Sequence, residues 1–292
     1  MKIIKALIKS MRMYSYSKNA FVAAPLIFAN QLTNLPIVIS TIKGVILFCL
    51  LSSAVYILND VRDVEIDRKH PQNKNRPVAS GILPVWIAML FSLLLFAFSL
   101  GSSYLLNKDF FILSLLYALF HIIYSFGLKH ISIVESFIVA IGFIIRVMAG
   151  SILVLAPASE WIILATFFLA LVLVLGKRKC EFLRAEKNNL ESSRPVLKEY
   201  TSSWLDHSMS IAAASATLTY ALYCISSRGV SIGGKGMVFT VIPVLLGLYR
   251  YMQLVSQGKM TEDIGHMLFK DILLLSSIFI WLVMLILLIY LT

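Results

Sequence analysis

Residues 42–81 read IKGVILFCLLSSAVYILNDVRDVEIDRKHPQNKNRPVASG, an apolar run that passes directly into charge. Positions 42–58 suit a membrane span, and 59–81 then gathers four acids beside five bases. Asp60, Asp63 and Asp67 are spaced i, i+3, i+7, so a helix of 3.6 residues per turn brings the three carboxylates within about 60° of one another. Asn59 stands beside them, one turn before Asp63. Such a stripe repels itself unless cations lie between the acids, and hard oxygen ligands favour Mg²⁺, which usually shares its shell with substrate phosphates. The stripe therefore reads as half of a metal–diphosphate site, against the structural alternative of a solvated helix face.

Outward from this stretch the chain stays apolar. With 59% hydrophobic and 14% charged residues and a mean hydropathy of +0.85, its 292 residues describe an all-α, polytopic membrane protein. Nine apolar runs are expected as spans, near 20–38, 42–58, 83–101, 109–126, 132–155, 160–175, 209–226, 236–253 and 272–291. The first is the weakest, because Asn30, Gln31 and Asn34 interrupt it, and eight is the fallback count.

Short cytoplasmic loops carry the excess Lys and Arg. With a cytoplasmic N-terminus that side receives five bases at 2–18, five at 62–76, Lys129, seven at 177–198 and three at 250–270, or 21 of 26. Lys43, Lys108, Arg228 and Lys235 fall outside, and Arg146 lies within a span. The expected location is the cytoplasmic (inner) membrane, with the acidic stripe on the cytoplasmic face. The same count explains the +11 net charge as topology and argues against nucleic-acid binding.

Residues 1–19 lack a signal-peptide cleavage pattern and read as an amphipathic helix lying in the interface. Lys2, Lys5, Lys9 and Arg12 form one face, and Ile4, Leu7, Ile8 and Met11 the other. Residues 20–292 are then one transmembrane domain. Cys49, Cys180 and Cys224 suggest neither disulfides nor a zinc site.

Two connections on the cytoplasmic side, 59–82 and 176–208, are longer than topology needs. The second opens with Lys177, Arg178 and Lys179 at a helix end, with Glu181 one turn after Lys177. Helix-end bases often only snorkel or complement the helix dipole. Beside an acidic metal stripe they also supply the direct grip that a polyphosphate needs. Arg146, inside an apolar span, requires a partner or a cavity; Glu135, about three turns earlier, is too distant to pair with it directly.

The NDxxDxxxD pattern of Asn59, Asp60, Asp63 and Asp67 resembles the first aspartate motif of the UbiA prenyltransferase superfamily of intramembrane enzymes. The longer match is to its decaprenyl-phosphate 5-phosphoribosyltransferase branch. It is carried by Lys18-Asn19 with Pro25, by His70-Pro71, Lys74, Arg76-Pro77 and Ala79-Ser80-Gly81, by Leu128-Lys129, by Arg146 with Ala149-Gly150, by Lys177-Arg178 with Glu181, by Asp206 and by Arg250-Tyr251. One departure from the wider superfamily is informative. Its aromatic prenyltransferases resemble one another in a second DxxxD-like motif in the later loop, and Glu181, Glu186, Glu191, Glu199 and Asp206 are not spaced that way.

The resemblance implies a helical bundle around a central cavity, with a homo-oligomer as the expected assembly. It implies transfer of 5-phosphoribose from 5-phosphoribosyl 1-diphosphate to polyprenyl phosphate, with release of diphosphate. Asn59, Asp60, Asp63 and Asp67 would hold Mg²⁺ on the diphosphate. Lys177 and Arg178 would hold the 5-phosphate, with Glu181 orienting Lys177 or meeting a ribose hydroxyl. Lys18 with Asn19, Lys74 and Arg76 are candidates for the lipid phosphate or the outer diphosphate oxygens, and Arg146 for lining the cavity. Two other classes are weighed: an aromatic or quinone-type prenyltransferase, which should carry a second carboxylate pair, and a transporter, which should carry paired Gly or Pro breaks in both halves. Gly142, Gly150 and Pro243 make no such pairing.

Overall fold

In hydrocarbon every backbone N–H and C=O needs an internal partner, so apolar runs of about 20 residues fold as helices. The computed structural model describes residues 2–69, 73–187, 195–258 and 271–291, and its regular elements are all helical. His70, Pro71, Glu191, Arg194, Lys259 and Lys270 lie outside the described residues.

Helix α1 (Lys2–Ser10) precedes a 3₁₀ segment at Met13–Val22 and the short α2 (Ala24–Phe28). Then come α3 (Leu35–Arg62), α4 (Val64–Lys69), α5 (Val85–Leu106), α6 (Lys108–Phe126), α7 (Val134–Val154) and α8 (Glu160–Lys187). The chain closes with α9 (Ser202–Ile225), α10 (Ser227–Gly233), α11 (Val241–Ser256) and α12 (Ile272–Tyr290). Eight of the described helices, α11 being taken with the 3₁₀ turn from Lys235, are long and apolar enough to cross a membrane. The chain is a multi-pass membrane protein.

The run expected at 20–38 is not one helix. Asn30 takes φ 55°, Asn34 is extended, and Pro36 opens α3, so the polar interruption ends one helix and starts another. The chain nevertheless crosses the bundle here. Tyr16 bonds Ser53 (2.9 Å) and Asn19 bonds Ser52 (3.1 Å), which runs this segment antiparallel to α3. At the far end Tyr290 Oη accepts from the Leu32 amide at 3.2 Å. Among the described residues there are thus nine crossings, eight of them long helices and one broken. Irregular backbone at membrane depth is tolerated only where protein covers it, and Val22 is fully buried.

Helix α7 is the covered one: 67% of its apolar window is inside the bundle, against 22% for α5 and α12. Ala140, Gly142, Ala149, Gly150 and Ser151 make it narrow, as close helix packing without a hydrophobic drive requires. At Gly150 the approach is closest, because a Cβ there would lie 1.9 Å from the Val22 carbonyl oxygen of the broken crossing. Helix α1 stops at Ser10, short of the expected 1–19; Ala6 and Ser10 are buried while Ile3, Ile4 and Ile8 are exposed. Arg250 forms an ion pair with Asp271 at 2.7 Å that ties α11 to the start of α12.

Gly150→Val should lower stability by about 1–3 kcal/mol through overpacking, since the opposing atom is backbone and has little room to yield. Thermal unfolding in detergent micelles measures it; an unchanged midpoint would mean that the first crossing is not clamped against α7.

Candidate active site

Helix α3 runs about one polar turn beyond its apolar stretch, and Asn59 and Asp60 lie on that turn. The chain then relaxes at Asp63 (φ −89°, ψ 8°) before α4 begins, so Asp67 does not continue the axis of α3 as one straight helix would. It shares a guanidinium with Asp60: Arg76 donates to Asp67 at 2.7 Å and to Asp60 at 3.3 Å. Arg12 also donates to Asp60, and Asn73 donates to Asp67 at 2.9 Å. Lys129 reaches both oxygens of Asp63, at 2.5 and 2.6 Å. Asp60 and Asp67 are buried, at 1% and 3% exposure.

These groups border a cleft of about 130 Å³ lined by Asn59, Asp63 and Asp67, by Arg12, Arg76 and Lys129, and by Tyr124 and His130. Burial opposes the charge on Arg12, but Asp60 with Tyr14 and Tyr56 outweighs it and holds the guanidinium above its ordinary range. Arg12 is placed by a left-handed residue, its own φ being 51°, which ends α1 and turns the chain into the bundle.

Among the described residues no three His, Cys, Asp or Glu side chains converge as a ready-made metal site. The cations hold the carboxylates apart. One atom points the other way: Asn59 Oδ1 is buried with no hydrogen-bond partner. An unpaired amide oxygen beside three carboxylates is the donor set of a hard cation, so the residues present fit Mg²⁺.

A second centre lies where α7 meets α8. Ile133 takes φ 66° and ψ −53° in a tight turn, with the Val134 amide 2.7 Å from the Ser132 carbonyl. A β-branched residue is strained there, and its amide is held by Tyr200 Oη at 2.6 Å. This turn starts α7 so that Glu135, fully buried, meets Arg178 through two bonds of 2.6 and 2.7 Å. Arg178 also donates to Glu181 at 2.7 Å, and Lys179 to Asp206 at 2.7 Å. Arg178, expected to grip a phosphate directly, is thus engaged by two carboxylates, and Glu181, expected to orient Lys177 or meet a ribose hydroxyl, bonds Arg178. Lys177 is half-buried on the same helix.

The connection from Leu128 to Ile133 joins the two centres, Lys129 to Asp63 and Ser132 to Glu199 of the later loop. Lys74 is exposed and does not line the cleft, whereas Arg76 does. Arg146, expected to have a partner or line a cavity, lies deeper and bonds Asn19 (2.8 Å), the Gly142 carbonyl (2.9 Å) and Tyr117 (2.8 Å). The sequence gives no site role to Arg12, Lys129 or Glu135, and Lys179, expected with its neighbours to grip a polyphosphate, pairs with Asp206. The one available signal was an acid, Glu135, at the start of an apolar span.

Residues 20–283 match the UbiA prenyltransferase family. The chain belongs to that family. Among curated relatives, decaprenyl-phosphate phosphoribosyltransferase of Mycobacterium tuberculosis is 32% identical over 260 residues, covering 88% of this chain and 85% of the relative. The protein of that name from Corynebacterium glutamicum is 32% identical over 257 residues, covering 86% and 77%. A UbiA homolog from Archaeoglobus fulgidus, solved with DMAPP and Mg²⁺ bound, superposes with a TM-score of 0.72 over 96% of both chains at 17% identity. At that identity the likeness speaks for the UbiA fold alone.

Glu135→Ala leaves the Arg178 guanidinium buried without its main counter-charge, and should cost about 3–5 kcal/mol. Glu135→Ala combined with Arg178→Met should recover much of that loss. Unfolding of both variants in detergent checks the pair; equal destabilisation of single and double variants would refute it.

Proposed function

We propose that this chain transfers 5-phosphoribose from 5-phosphoribosyl 1-diphosphate to a polyprenyl phosphate such as decaprenyl phosphate and releases diphosphate. One observation carries the choice within the family. Among the described acids of the later connection Glu181 bonds Arg178, Glu199 bonds Ser132 and Asp206 pairs with Lys179, and the spacing of these acids and Glu186 offers no DxxxD-like second carboxylate pair for another metal–diphosphate. The relatives named for this activity, at 32% identity over most of both chains, support it.

In this reading Asn59 Oδ1 with the carboxylates of Asp60, Asp63 and Asp67 hold Mg²⁺. The ion supplies charge neutralisation for diphosphate as leaving group. As donor arrives, Arg12, Arg76 and Lys129 exchange their carboxylate partners for diphosphate oxygens, keeping each side chain charge-paired. The ribosyl C1–O bond to diphosphate breaks, and a phosphate oxygen of the lipid forms the new bond to C1. That nucleophile is already an anion at neutral pH, so no general base is required. Lys177 stands for the 5-phosphate, with Arg178 as the buried post that fixes the end of α8 through Glu135. We assign the charged end to the cytoplasmic face of the inner membrane, where the excess of bases belongs, and α1 to the interface, with Ile3, Ile4 and Ile8 in lipid.

Membranes given labelled 5-phosphoribosyl 1-diphosphate and decaprenyl phosphate should transfer label to the lipid phase, and chelation by EDTA should abolish it. Prenylation of 4-hydroxybenzoate without such incorporation would sink the assignment. Asp63→Ala should abolish turnover, since one missing carboxylate undoes the ligand set; retained turnover would make the stripe structural. Lys177→Ala should raise KM for the sugar donor roughly 10-fold, the loss of one charge-assisted bond. A rise in KM for the lipid alone would exchange the two anion sites.

A further inference from the structure

Below the carboxylates, α3 continues inward as a polar seam. Tyr56 lies one turn inside Asp60, and Ser52 and Ser53 lie about one turn further. Facing the seam are Lys18 and Asn19 of the broken crossing, Tyr117 and His121 of α6, and Arg146 of α7. The charge in this layer has one sign.

Arg146 is 3% exposed, and the groups that accept from it are an amide oxygen, a backbone carbonyl and a phenol, all neutral. Among the described residues no carboxylate forms an ion pair with Arg146 or with Lys18. Asn19, next to Lys18, bonds both Ser52, one turn from Tyr56, and Arg146; the Arg146 guanidinium lies 4.6 Å over the Tyr117 ring, and that ring packs 4.3 Å from His121, so the four side chains share one region. His121 Nε2 is buried without a hydrogen-bond partner. A Cβ on Gly142 would stand 3.0 Å from that nitrogen and 3.5 Å from Arg146 Nη1, so His121 and Arg146 both lie against the bare backbone of the glycine.

Buried positive charge with unspent donors calls for an anion. An ammonium, a phenol and an imidazole nitrogen around a guanidinium suit a tetrahedral oxyanion, and two cations match a dianion. We infer that the pocket between Lys18, Tyr56, His121 and Arg146 binds a phosphate monoester. Lys18 and His121 contact it, while Arg146 is a positioning residue that supplies charge and orients Asn19 and Tyr117. The inference rests on the phosphoribosyl-transfer reading for its two candidate sources, the head group of polyprenyl phosphate and the 5-phosphate of the ribosyl donor.

The test is calorimetric titration of the full-length protein in detergent with EDTA present and no diphosphate, so that the acidic stripe is not engaged. Farnesyl phosphate and ribose 5-phosphate are the two arms, and farnesol is the phosphate-free control. Lys18→Gln and His121→Leu should each weaken a phosphate probe roughly 10-fold, as loss of a charge-assisted or buried hydrogen bond does, with farnesol unchanged. A loss confined to farnesyl phosphate assigns the pocket to the lipid; a loss confined to ribose 5-phosphate assigns it to the donor; a loss of both leaves a general monoester site. Arg146→Lys keeps the charge and is paired with a melting measurement, while Lys18, half-buried, serves as the variant that folds. Both variants binding either phosphate as the wild type does, or a wild type that prefers neither phosphate to farnesol, would overturn the pocket. Because neither metal nor donor diphosphate is present, that outcome would leave the transfer reaction standing. Absence of transfer with phosphate binding intact would strike the reaction instead.

Discussion

A charge inside an apolar bundle has to be met by another charge or by well-aimed dipoles, and the charged end of this protein is arranged around that requirement. At an effective dielectric of about 20, two opposite charges 4 Å apart attract by about 4 kcal/mol, several times the value in water. The innermost helix, α7, carries two charged side chains, Glu135 and Arg146, and the bundle answers them differently. Glu135 is matched by the planar fork of Arg178 on the neighbouring helix. Arg146 is matched by dipoles alone. The first solution locks two helices; the second leaves net charge in the interior.

The cleft applies the same rule to carboxylates. Asp60, Asp63 and Asp67 are held by Arg12, Arg76 and Lys129, drawn from three separate connections, so the acids depend on tertiary structure for their neutralisation. Each cation is a long side chain at the mouth of the cleft, free to trade one anionic oxygen for another. The two centres are mechanically continuous through the Leu128–Ile133 connection, which touches both long loops.

Much of this was legible in the sequence. The apolar runs located the eight long helices, because hydrocarbon leaves the backbone no alternative to helix, and the acid spacing located the cleft. The broken first crossing was foreshadowed by Asn30, Gln31 and Asn34 but not its path, since a covered irregular segment has no periodic signature. The partners of Arg178 were out of reach for a similar reason. Glu135 and Arg178 are 43 residues apart and meet only because a strained turn at Ile133 sets the start of α7. Arg12 and Lys129 looked like topology, and composition alone cannot separate a base that sets orientation from one that also holds a carboxylate.

The broken crossing also acts as a ruler. Arg12 meets Asp60, Tyr16 meets Ser53, and Asn19 meets both Ser52 and Arg146. From 12 to 19 a 3₁₀ path advances about 14 Å at ~2.0 Å per residue. From 60 back to 52 the α-helical path covers about 12 Å at 1.5 Å per residue. The extended gauge of one strand matches the tighter gauge of the other. One segment of eight residues therefore sets the depth of the interior cation relative to the carboxylate rim, and a single inserted residue would shift one mark on the scale without the other.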